Sequence, residues 1–172
     1  MNASRPNNCP ASRATVWVDA DACHVRAEII RVCRRYGVRP RFVANKVPTG
    51  LARRDDVECI VAGNSFDAAD DYIVGHLSAG DLVLTGDIVL AARVVKAGGF
   101  ALDFRGRWFS EEKVGELLAM RDLKRALRTN GRLSEAASGP RASDHAARAQ
   151  LLQELNNFLN RAVAKRTSRG AT

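Results

Sequence analysis

No apolar run in this chain of 172 residues approaches the ~20 residues that a membrane-spanning helix requires. Cysteine is scarce: Cys9, Cys23, Cys33 and Cys59 form no CxxC pair and show no metal-ligand spacing, which points to reduced thiols and away from a zinc centre. The histidines His24, His76 and His145 are scattered, so residue order gives little support to a His-centred mechanism. Neither a GxGxxG turn nor a GxxxxGK[ST] loop occurs, and nucleotide-cofactor binding has no specific signal. Met1 to Ala14 is polar, rich in Asn, Ser and Pro, and lacks the apolar core of a signal peptide. It reads as a disordered leader (1–14) on a cytoplasmic protein.

What is present suffices for one core. Hydrophobic residues make up 46% of the chain and charged residues 27%, the balance of a single globular domain with tails. The net charge of +8 is unevenly spread. Residues 1–120 carry 16 Lys/Arg against 15 Asp/Glu, whereas residues 121–172 carry 11 against 4. An acidic centre with a basic arm suits a polyanionic partner, and nucleic acid, RNA above all, is the expected one. A solvated basic tail with no partner is the competing explanation.

The stretch Thr15-Val16-Trp17-Val18-Asp19-Ala20-Asp21-Ala22-Cys23 sets the organisation. A β-prone apolar run ends in two acids spaced two apart, which project from one face of a strand. Asp19 therefore reads as a strand-end carboxylate; Asp21 either joins it or caps the next helix. Val25, Ile29, Val32, Cys33 and Tyr36 then recur at helical spacing, and Gly37 ends the pattern. Val38 to Ala44 predicts a second strand, Asn45 to Asp56 a basic loop, and Val57 to Ala62 a third strand. From Phe66 to about Ser78 a helix is expected, with Phe66, Ala69, Ile73 and Leu77 on one stripe. Asp70 lies close to that stripe, while Asp67 and Asp71 flank it. A carboxylate facing a core needs a partner, because an unpaired buried charge is expensive.

Asp81 to Thr85 predicts a fourth strand, and Asp87 stands at its far end before a helix from Ile88 to Ala97. Phe100 to Phe104 reads as a fifth strand with a short extension through Trp108-Phe109. Ser110 opens another helix, on which Arg121 either pairs inward with the acids or snorkels to the surface. The fold class is thus α/β: a mostly parallel central sheet of about five strands flanked by helices, with a C-terminal helical extension. Residues 15–128 form the domain, 129–143 a linker, 144–165 a helix packed on the domain, and 166–172 a basic tail. Cys23 reads as a buried packing residue.

Three separated segments thus deliver acids: Asp19 and Asp21; Asp67, Asp70 and Asp71; and Asp87. If the first and fourth strands are neighbours, these groups converge at one edge of the sheet. An oxygen-only cluster suits Mg²⁺ or Mn²⁺, which orient a phosphodiester and activate water.

The motifs Val18-Asp19-Ala20-Asp21-Ala22-Cys23, Phe66-Asp67-Ala68-Ala69-Asp70-Asp71 and Gly80 to Ile88 resemble the YaiI/YqxD family of uncharacterised bacterial proteins. The resemblance continues through Leu90-Ala91-Ala92-Arg93, Arg105-Gly106 and Ala119 to Leu123, and covers roughly Val16 to the final helix. His24 and Val89 stand where that family usually has Pro. The family in turn looks like a branch of the PIN-like nucleases. That likeness implies a metal-binding acidic site in which Asp19, the Asp87 of Thr85-Gly86-Asp87 and a helical acid, Asp70 foremost, take the catalytic places. The resulting expectation is a Mg²⁺- or Mn²⁺-dependent ribonuclease, with Asp21, Asp67 and Asp71 as further metal ligands. A non-catalytic RNA-binding module is the alternative. A haloacid-dehalogenase-like phosphatase built on Asp19-Ala20-Asp21 ranks third, because Asp70-Asp71 lie in a helix and precede Thr85.

Overall fold

The computed structural model describes residues 14–46, 50–51, 54–63, 65, 67–129 and 143–169. The leader up to residue 13, the linker from 130 to 142, residues 170–172 of the tail, part of the 45–56 loop, and Phe66 lie outside the described residues.

Strand β1 (Val16–Asp19) is buried along its whole length because both of its faces are covered. Val16 and Val18 enter one core and Trp17 the other, as the alternation of side chains along a strand requires. Helix α1 (Arg26–Arg35) follows, then β2 (Arg41–Ala44) and β3 (Glu58–Val61), each parallel to its neighbour. Helix α2 (Ala68–His76) leads to β4 (Leu82–Leu84), and α3 (Ile88–Lys96) to β5 (Phe100–Leu102). Helix α2 is shorter than its apolar stripe suggests, because Leu77 already has extended backbone with ψ 134°. The strand order is β3-β2-β1-β4-β5-β6, so β1 and β4 are parallel neighbours.

The sixth strand, β6 (Trp108–Phe109), pairs antiparallel with β5 and adds an edge to the parallel five. Its turn is local chemistry. Asp103 accepts the backbone N–H groups of Arg105 and Arg107 at 2.9 and 2.8 Å and pairs with the Arg107 guanidinium at 2.6 Å. Gly106 sits there at φ +78°, a conformation that side-chain-bearing residues avoid.

Helices α4 (Glu111–Thr129) and α5 (Ser143–Arg169) complete the chain, and α5 runs past residue 165 into the expected tail. Leu151, Leu155, Phe158 and Leu159 of α5 are buried with Val16, Val18 and Leu82, so α5 and α1 cover one face of the sheet. Helices α2 and α3 cover the other, around Ile73, Leu90 and Val94. Trp108 Nε1 donates to Glu154 of α5 at 3.0 Å, and Tyr36 donates to Asn156 at 2.8 Å. Asp81, which the sequence shows only as a strand start, is 3% exposed and accepts from Thr15 N, Trp17 Nε1 and Ser78 N at 2.8, 3.1 and 3.0 Å. One buried carboxylate thereby ties β1 to β4. Among the described residues no helix is long and apolar enough to cross a membrane.

Candidate active site

After β1 the chain moves outward through β2 and β3, then returns to place β4 on the other side of β1. Connections leaving the C-terminal ends of β1 and β4 in opposite directions open a crevice there, the usual ligand position of open α/β sheets. Asp19 is the last residue of β1, and Asp87 lies just beyond β4. Val18 pairs in register with Leu84, which sets Asp19 beside Thr85.

The Thr85 hydroxyl, fully buried, donates to Asp19 Oδ2 at 3.0 Å and accepts the Asp87 backbone N–H at 3.0 Å. One hydroxyl thus fixes both strand-end acids. Residue order places Thr85 in the family motif and nothing more; its signal is the Thr-x-Asp spacing at a strand's end. Asp19 is 9% exposed. Burial pushes its carboxyl above the usual range, and the neighbouring charge of Asp21 adds to the rise. The Thr85 hydroxyl and the backbone N–H groups of Ala22 and Asp21 oppose that shift without cancelling it.

Asp87 caps α3, accepting from Val89 N at 2.7 Å. The same oxygen stands 3.7 Å from Arg121 Nη1, so Arg121 reaches inward to the acids from α4. Asp21 does not cap α1, which begins only at Arg26. It accepts the Asn45 backbone N–H at 3.1 Å, a contact that fastens it to the end of β2. Asp19, Asp21, Asp87, Gly86 and Arg121 share the lining of a hollow of about 560 Å³.

The α2 acids divide. Asp70 is half-buried and its carboxyl is pushed up to about 6, first by burial, then by the charges of Asp19 and Asp87, with Arg93 opposing. Asp71 instead pairs with Arg93 at 2.7 Å on the surface, and Asp67 is exposed at the head of α2. Asp70 on α2 therefore feels the charge of both strand-end acids, Asp19 and Asp87. Among the described residues no three acidic, histidine or cysteine side chains already form a metal-binding group. Cys23 is buried and its thiol is pushed up to about 11, so it stays protonated and unreactive at neutral pH.

A pH dependence follows for the metal-free protein. Between its ordinary value of 3.8 and about 6, Asp70 holds its proton more firmly in the folded chain than in the unfolded one. Its contribution is therefore most favourable below 3.8 and declines as pH rises through about 6. Asp70→Asn should raise the thermal midpoint at pH 7 and leave it nearly unchanged at pH 4. A variant less stable than wild type at pH 7 contradicts the repulsion.

Sequence comparison matches residues 17–161 to the family described as "Uncharacterized BCR, YaiI/YqxD family". A UPF0178 protein of Geobacter metallireducens is 42% identical over 152 residues, covering 86% of this chain and 94% of its own. One from Rhodopseudomonas palustris is 40% identical over 161 residues, covering 92% and 94%. Another, from Vibrio cholerae, is 40% identical over 154 residues, covering 88% and 98%. No solved structure matches the chain.

Proposed function

The chain belongs to the YaiI/YqxD family, and on that footing we propose that it is a divalent-metal-dependent nuclease, a ribonuclease-like phosphodiesterase. The observation that carries this reading is the meeting of the strand-end acids Asp19 and Asp87, fixed by one Thr85 hydroxyl at the switch point of the sheet, with Asp70 of α2, whose carboxyl their charges push up. Carboxylates gathered where two of them raise the energy of a third are a poor structural device and a good cation site. Their donor set is oxygen alone, which fits Mg²⁺ or Mn²⁺ and fits zinc badly. Asp19, Asp70 and Asp87 would hold the ion; Asp21 lines the hollow with Asp19 and Asp87, and Asp67 stands exposed at the head of α2. Asp71, spent on Arg93, is the weakest candidate of the six. A bound dication supplies an activated water and neutralises charge on the phosphodiester.

The protein's own groups do the rest. Thr85 holds Asp19 and the Asp87 backbone at a fixed separation. Arg121, half-exposed at the rim, offers a guanidinium to a non-bridging phosphate oxygen. The resemblance to PIN-like nucleases agrees with this assignment. The phosphatase reading loses ground, since Asp21 is engaged by the backbone of Asn45.

Calorimetry with Mn²⁺ tests the proposal. Wild type should bind saturably, and Asp19→Asn and Asp87→Asn should each weaken binding by about tenfold or more. No heat with wild type, alongside RNA binding that survives both substitutions, would leave a binding module in place of a nuclease.

A further inference from the structure

A second hollow lies along the same edge of the sheet and carries the opposite charge. Its volume is about 410 Å³, and His24, Phe104, Arg105, His145, Ala147 and Arg148 line it, with no carboxylate among them. It is more enclosed than the acidic hollow. A third, of about 300 Å³, shares His24, Phe104 and Arg105 with the basic hollow, and Gly86 and Ile88 with the acidic one. The three form one path from Asp19 and Asp87 to two guanidiniums and two imidazoles.

The basic end is assembled from three elements, each braced. His24 stands three residues after Asp21 and edge-on to the buried Phe104 ring at 6.0 Å. Arg105 rides on the β5–β6 turn that Asp103 shapes. Arg148 extends from the start of α5 and is steadied at 3.1 Å by Glu28 of α1, which offsets part of its charge. The turn at Gly106 abuts the backbone of Gln150 and Leu151, so Arg105 and Arg148 hold their relative places.

A phosphodiester brings one negative charge, whereas a phosphate monoester brings about 1.5 to 2 near neutral pH. A hollow whose described lining holds four nitrogen-bearing side chains and no acid matches the second better than the first. The open acidic hollow, in contrast, lets a chain pass. We propose that this pocket seats the terminal phosphate of a nucleic-acid strand, so that a phosphodiester further along lies over Asp19 and Asp87. The strand rests on the nuclease reading; the phosphate site does not require the metal.

Fluorescence anisotropy in the presence of chelator, with a short single-stranded RNA bearing a phosphate or a hydroxyl at either end, tests this. Wild type should bind one phosphorylated end about tenfold more tightly than the hydroxyl form, the worth of one charge-assisted hydrogen bond. Arg105→Gln should lose that preference and keep the thermal midpoint, since Arg105 is exposed. His145→Gln, on a separate element, should reduce the preference as well. Equal binding of the two forms by wild type overturns the proposal, as does a preference undiminished in Arg105→Gln. A mononucleotide that displaces the RNA as well as the phosphorylated strand does overturns the strand-end assignment. Cleavage is read apart from binding: end preference with no Mn²⁺-dependent hydrolysis removes the nuclease and keeps the pocket, and the converse removes the pocket and keeps the nuclease.

Discussion

Asp19→Asn should lower Mn²⁺-dependent RNA hydrolysis on the order of a thousandfold, the scale of removing a principal electrostatic group from a reacting centre. The fold should not suffer. Asparagine keeps the shape of the side chain and an oxygen for the Thr85 hydroxyl, and it removes a carboxylate whose burial and neighbours disfavour its charge. Metal-free Asp19→Asn is therefore expected to melt at or above the wild-type temperature. Loss of function with gained stability is the signature of a group retained for chemistry. Loss of both would make Asp19 a structural acid, and unchanged hydrolysis would remove it from the site.

The second large effect is on stability. At Gly106 an added Cβ would sit 2.6 Å from Leu151 N and 2.7 Å from the Gln150 carbonyl carbon, and φ is +78°. Both neighbours are backbone of α5, which cannot rotate aside. Gly106→Ala combines left-handed strain with overpacking and should cost about 2–4 kcal/mol. For a chain of this size that is roughly 5–15 °C in thermal midpoint. Gly37→Ala is the control: its φ is +64°, but nothing lies within 4 Å of the added carbon, so only about 1–2 kcal/mol is expected. Equal losses at the two positions, by urea denaturation, would show that the α5 contact carries no weight.

The centre of the sheet was legible because β1 and β4 are buried on both faces and read as unbroken apolar runs, Val16 to Val18 and Leu82 to Leu84. Asp19 and Asp87 were legible as acids closing such runs. Asp70 showed through its place near a core-facing stripe. What residue order could not carry was pairing across distance. Asp81 looks like any strand start, yet it gathers three donors from two segments. Thr85 showed as part of a Thr-x-Asp spacing, but not as the hydroxyl that meets Asp19. The stripe set Asp70 apart from Asp71, but the pairing of Asp71 with Arg93 of α3 was hidden. The sixth strand was visible only as an extension, because two residues give no period to read.

Helix α5 supplies Leu151, Leu155, Phe158 and Leu159 to the same core as Val16 and Leu82. During synthesis, chain emerges N-terminus first at about 5–20 residues per second. The sheet face bearing Val18, Phe42 and Leu84 is therefore bare for several seconds after its strands have left the ribosome, with α1 as its main cover. Folding of that half must wait for the last quarter of the chain. A stalled or truncated product that ends before α5 presents an apolar sheet to chaperones and proteases, so quality control would recognise incompletely made copies.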